Sequence, residues 1–178
     1  GLLLAGLALL ARLLPGARTI DDAFITFRYA RNLLAGNGFV FNPGEAVLGT
    51  TTPLYTLLMA GLGAVFGGIR ADFPNIALVV NALADAATCL LLWQLGKRLS
   101  LARAGYLAGL CWAVAAYSVT FAIGGLETSV YVLLLTGAGW AFMAEKRKLT
   151  ALLGALALLT RPDAVILVGP LILVRLIQ

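Results

Sequence analysis

The chain has 178 residues, 61% of them hydrophobic and only 12% charged, with a formal net charge of +5 and a mean hydropathy of +0.97. A soluble domain is about half apolar and about a quarter charged, so this composition excludes an ordinary soluble protein and indicates the membrane class. The basic residues sit in short clusters between apolar runs, the pattern of helix-connecting loops and not of nucleic-acid binding, and the absence of histidine leaves acid–base chemistry to Asp, Glu or Lys.

Apolar runs fall at 1–14, 53–68, 73–95, 104–122, 126–144, 149–160 and 162–177. The first is short for a span, and the last has no flanking charge. Both read as ends of a segment cut from a longer membrane protein. Run 1–14 lacks the basic leader and A-x-A site of a signal peptide. Residues 15–72 then form a polar loop unlike the rest of the chain. Within it, Thr19 or Asp21 can cap a helix that reaches about Ala35 and is stopped by Gly36 and Gly38. Spacing puts Asp21, Ile25, Arg28 and Asn32 on one face of that helix, and Phe24, Phe27 and Leu34 are expected to dip toward lipid. Asn42 to Glu45 reads as a turn.

Run 53–68 holds four glycines and is short for a span. It starts at Pro53 behind candidate caps Thr50 to Thr52, so it reads as an interfacial helix with both ends on the outer side. Run 73–95 carries Asn81, Asp85 and Thr88 at its middle, where Asp85 reads as a buried polar helix contact. Cys89 and Cys111, each inside an apolar run, read as buried thiols, and Trp93, Trp112 and Trp140 as packing or interfacial aromatics.

Lys97, Arg98 and Arg103 form one basic cluster and Lys146, Arg147 and Lys148 another. The positive-inside rule assigns both to the cytoplasm. Alternation then places Asp21, Asp22, Glu45, Glu127 and Asp163 outside. Arg18, Arg28 and Arg31 also fall outside, against the rule, and so need a specific job there. The whole reads as one all-α transmembrane domain, 1–178, a polytopic helix bundle with juxtamembrane helices in its outer loop.

Asp21 and Asp22 suit helix capping. They equally suit a catalytic pair, in which one takes a proton from an acceptor hydroxyl and the other orients a donor or holds a cation. Asp22 is the choice for the base, because Asp21 shares its face with Arg28. Arg161 lies between two apolar runs, where an unpaired guanidinium is costly. It either pairs with Asp163 or grips a phosphate. Arg28 is a second phosphate candidate. Its structural alternative is a surface pair with Asp21.

The ordered set "DDAFITFRYARNLLAGNGFVFNPGE" (21–45), "TTPLY" (51–55), "GGLETSVY" (124–131) and "TRPDA" (160–164) resembles bacterial polyprenyl-phosphate-dependent membrane glycosyltransferases of the glycosyltransferase-C superfamily. Within it, the likeness is to arabinofuranosyltransferase-like and mannosyltransferase-like proteins. The resemblance implies a multi-pass enzyme of the bacterial cytoplasmic membrane. It would move a sugar from a polyprenyl-phosphate donor to an extracytoplasmic glycan or protein acceptor, usually with inversion. Asp21 or Asp22 would be the base, Arg161 and Arg28 would meet the donor phosphate, and Glu127 and Asp163 would line the cavity. A divalent cation held by Asp21 and Asp22 is permitted by the family but not required. Membrane lipid and other membrane subunits are further expected partners. Two other readings stand beside this one: a non-catalytic scaffold subunit, and a transporter with polar groups at mid-membrane.

Overall fold

A computed structural model of the chain describes residues 1–45, 47 and 49–177, the side chains of residues 175 and 176 excepted. It is all-helical, with no strand among the described residues. The helices are α1 (Leu2–Leu13), α2 (Ala23–Leu34), α3 (Pro53–Val65), α4 (Phe73–Arg98), α5 (Ala102–Val114), α6 (Ala116–Ile123), α7 (Thr128–Met143), α8 (Arg147–Thr160) and α9 (Val165–Ile177).

Helix α4 is the central post. It packs against α1, α5, α6 and α7, while α8 packs on α7, and α2 pairs with α3, which also meets α4 and α8. Its 26 residues are long and apolar enough to cross a membrane alone. The bent pair α5–α6 passes the same test if counted as one span, and α1, α3, α7 and 162–174 are apolar but shorter. At about 1.5 Å per residue, α3 reaches only about 20 Å, less than a hydrocarbon core of about 30 Å.

Small residues make the close packing possible. Ala77, Ala82, Ala84, Ala86 and Gly96 are buried on α4. A Cβ on Gly96 would stand 2.5 Å from the Cα of Gly105, so α4 and α5 touch backbone to backbone there. Many large apolar side chains point outward instead, Leu83, Leu107, Leu152 and Ile166 among them. A continuous apolar exterior of that kind fits a lipid-facing or partner-facing surface.

Helix ends follow local rules. After α2, Gly36 takes φ 79°, Asn37 N–H bonds Asn32 O at 2.9 Å and Gly36 N–H bonds Leu33 O at 3.2 Å. This is the paired Schellman closure, where the sequence places it. The same paired bonds close α4 at Ser100 and α7 at Glu145, both non-glycine residues with φ near 60°. A side chain costs about 1–2 kcal/mol in that conformation. Ser100→Gly and Glu145→Gly are therefore each expected to stabilise the protein by about 0.5–1 kcal/mol, read as a higher midpoint of unfolding in mixed detergent micelles.

Three expectations are corrected. Phe27 does not face lipid: it is fully buried and stacked on Phe73 at 5.7 Å between centroids, and Leu34 packs on the same cluster. Phe24 alone of the three is exposed. Cys89 is buried but Cys111 is exposed. Run 104–122 is not one helix but two, bent by 49°, because Ala115 adopts ψ 127°.

The charges segregate. Arg98 and Lys146 both lie over one ring, Trp140, at 5.2 and 5.0 Å, and Lys97 lies over Trp93 at 4.1 Å. Both basic clusters therefore meet at one end of α4 and α7. Glu127 and Arg161 meet at the other end of α7.

Candidate functional site

A cavity of about 400 Å³ opens at the acidic end. Asp22, Glu127 and Arg161 line it together with Thr26, the Thr50–Thr52 segment and Phe121. They come from five parts of the chain: the start of α2, the strap before α3, α6, the turn before α7 and the turn after α8.

Asp22 occupies the N-cap position of α2, yet its side chain makes no cap hydrogen bond. Among the described residues neither Asp21 nor Asp22 has a side-chain hydrogen bond or ion pair, so neither acid performs the capping role available to it. Asp21 is exposed and does not line the cavity. Capping by the side chain does occur elsewhere: Asp72 accepts from Asn75 N–H at 3.3 Å at the start of α4.

Arg161 donates from Nη1 to Glu127 at 3.4 Å and from Nε to Asp163 at 3.1 Å. Its side chain remains 40% exposed, so the guanidinium is held on two sides and open toward the cavity. Burial opposes its charge, but the hydrogen bond and charge of Asp163, with the charge of Glu127, outweigh that and raise its pKa further. Asp163 thus stands behind Arg161 as its anchor and is not itself in the cavity wall.

Arg28 is placed elsewhere. Its Nε donates to Phe41 O at 2.9 Å, its Nη2 to Asn42 Oδ1 at 2.6 Å, and its guanidinium lies 4.2 Å over the Phe41 ring. It neither pairs with Asp21 nor lines the cavity. Asn32 on the same face donates to Val40 O and Phe41 O. Arg28 and Asn32 thus hold the 40–42 segment, while Asp21 lies before the helix, which starts at Ala23. Arg31 likewise lies over Phe73, at 5.1 Å. Arg28 and Arg31 are thus each engaged within this loop and its neighbours.

The turn carrying Glu127 is fixed from below by residues that sequence alone did not single out for it. Asn81 Nδ2 donates to Ala122 O and Leu126 O at 3.1 and 2.9 Å. The buried Tyr55 hydroxyl donates to Gly125 O at 3.3 Å. Ile20 N–H reaches Gly124 O at 2.9 Å, tying the segment before Asp21 to the same turn.

One level deeper, Arg12 and Asp85 form an ion pair at 2.5 Å, both fully buried. Arg12 also donates to Ala8 O, Ala113 O, Trp112 O and Ser118 Oγ. Asp85 accepts from Trp112 Nε1 and Ser129 Oγ, each at 2.9 Å. Asp85 makes the buried polar contact expected of it. Its partner was not foreseen. The available signal was the acid itself, since a carboxylate inside an apolar helix demands a cation from another element.

Among the described residues no three His, Cys, Asp or Glu side chains converge, and Asp21 does not join Asp22 at the cavity.

A comparison with curated proteins supports a distant, glycosyltransferase-like relationship. The chain is 31% identical, over 175 aligned residues, to the terminal β-(1→2)-arabinofuranosyltransferase of Mycobacterium tuberculosis. The alignment covers 88% of this chain and 28% of that enzyme, so the chain spans little more than a quarter of its relative's length. No family model matches, and no solved structure matches.

Proposed function

We propose that this chain supplies the catalytic cavity of a membrane glycosyltransferase. The enzyme moves a sugar, with inversion, from a polyprenyl-phosphate donor to an extracytoplasmic glycan or protein acceptor. Residues 1–178 act as one transmembrane domain whose outer loop, 15–72, carries the base. The basic end faces the cytoplasm and the cavity faces out. The observation that carries this reading is one partner-free carboxylate, Asp22, in the same cavity as an arginine held open between two acids.

The roles follow from chemistry. Asp22 takes the proton of the acceptor hydroxyl as its oxygen bonds to the anomeric carbon. The bond from that carbon to the phosphate oxygen breaks, and its electron pair leaves with the lipid phosphate. Arg161 meets the phosphate's growing charge. Glu127 and Asp163 aim the guanidinium. A phosphate is a good leaving group, so no acid is required to protonate it. The transporter reading loses its motive, because Asn81, Asp85 and Thr88 are all bonded within the protein.

Arg161→Ala in the full-length protein is expected to weaken binding of a polyprenyl-phosphate sugar about tenfold or more, the loss typical of a charge-assisted bond. Arg161→Lys should recover it only partly, since an ammonium cannot reproduce the planar fork. Donor titration against both variants checks this. Unchanged donor binding by Arg161→Ala would remove the phosphate from this site.

A further inference from the structure

Between α7, α8 and α9 lies a groove of about 310 Å³ that shares no lining residue with the Asp22 cavity. On α8 its wall is Arg147, Ala151, Gly154, Ala155 and Leu158, one helix face by their i, i+4, i+7, i+8 and i+11 spacing. The floor is closed. Gly154 and Val168 are buried, and a Cβ on Gly154 would stand 3.1 Å from Val168 Cγ1. The mouth is open and apolar, since Ala151, Ala155, Leu158 and Ile172 are exposed.

Charge enters this groove at one end only. Thr150, also in its wall, spends its hydroxyl on Lys146 O at 3.1 Å. Arg147 is exposed, and the cations of the described ion pairs are Arg12 and Arg161, so no described acid pairs with Arg147. Lys146 lies over Trp140, while Lys148, next to Arg147, has no described ion pair either. From Arg147 to Leu158 is eleven positions, about 16 Å of helix. One leaflet of a hydrocarbon core about 30 Å thick is about 15 Å deep. The groove is thus as long as one leaflet, apolar along its length and cationic at the headgroup end. We infer that it holds one acyl chain of an anionic phospholipid from the leaflet at the basic end, with the lipid phosphate on Arg147. A polyprenyl-phosphate donor would place its phosphate at Arg161, which does not line the groove. The inference rests on α8 lying in a membrane and not on the transfer reaction.

The test uses the full-length protein in mixed micelles, stripped of lipid. It is titrated with phosphatidylglycerol or with phosphatidylcholine of the same acyl chains, and bound lipid is counted by native mass spectrometry. One phosphatidylglycerol is expected to bind saturably, about tenfold tighter than phosphatidylcholine. Arg147→Gln is expected to weaken phosphatidylglycerol binding about fivefold and to narrow that preference. Ala155→Phe fills the groove and is expected to weaken both lipids more than about tenfold. Both positions are exposed, so the melting temperature without lipid should not change. No saturable phosphatidylglycerol, as when another helix of the full-length chain fills the groove, would overturn the proposal. So would equal affinity for the two lipids, unchanged binding by Ala155→Phe, or displacement of phosphatidylglycerol by a polyprenyl-phosphate sugar, which would give the groove to the donor's chain. Selective binding that depends on Arg147 in a protein without transfer activity would support the lipid site and count against the transferase reading alone.

Discussion

Asp22→Asn in the full-length protein is expected to lower single-turnover sugar transfer by about 10²–10⁴-fold, the usual contribution of a positioned base, while donor binding stays near the wild-type value. Asparagine keeps the shape of the side chain but cannot accept the acceptor's proton. Asp22 is not tied up structurally: it sits at the N-cap without a cap bond. Its loss should therefore leave folding almost untouched, which separates a chemical effect from a structural one. Asp21→Asn should keep most of the activity, because Asp21 lies outside the cavity wall. Glu127→Gln should act through Arg161, weakening donor binding more than the chemical step. Measuring donor affinity and single-turnover transfer on all three variants distinguishes these roles. Normal transfer by Asp22→Asn would move the base to Glu127 or Asp21. Normal transfer by all three would favour the reading of the chain as a scaffold subunit.

The second large effect falls on stability. Arg12→Ala is expected to cost about 3–5 kcal/mol, because it leaves Asp85 buried without its cation. Asp85→Ala should cost a similar amount by stranding the guanidinium. Replacing a buried pair by two apolar residues is often neutral, but here Arg12→Leu with Asp85→Leu should recover only part of the loss. Arg12 also serves Ala113 O and Trp112 O at the broken end of α5, and those carbonyls have no α-helical continuation to satisfy them. Unfolding midpoints in mixed micelles for both single variants and the double variant complete the cycle. Full recovery by the double variant would mean that the bonds to the helix break add nothing. The network also reaches the site, since Asp85 holds Ser129, two residues after Glu127. Transfer activity in Arg12→Ala should therefore fall even at temperatures where the protein remains folded.

Much of this organisation is legible along the chain. The all-α class follows from apolar runs separated by charge. The end of α2 follows from Gly36, the start of α3 from Pro53, and the separation of basic from acidic groups from where they interrupt the runs. Asp22, Glu127 and Arg161 stand out as charges at the edges of apolar helices. Their meeting in one cavity was an expectation drawn from resemblance, and no local pattern contained it.

Other features leave no local trace. The break at Ala115 has neither proline nor glycine to announce it. It persists because Arg12, from another helix, supplies donors to the carbonyls that the break exposes. Arg28 is an equally good phosphate ligand and loop anchor on sequence grounds, and only the position of Phe41 and Asn42 decides between them. Phe27 faces inward because Phe73, some forty-six positions on, presents a ring to it.

Local chemistry, acting over a few residues, determined from sequence alone where the helices start and stop and which ends carry charge. The tertiary structure decided which charges are partners. Arg12 and Asp85 are 73 positions apart, and the desolvation of an unpaired ion is so costly that the fold must bring them together. Asp22 remained without such a partner, in a cavity opposite Arg161, and that difference between two acids in the same chain exists only in three dimensions.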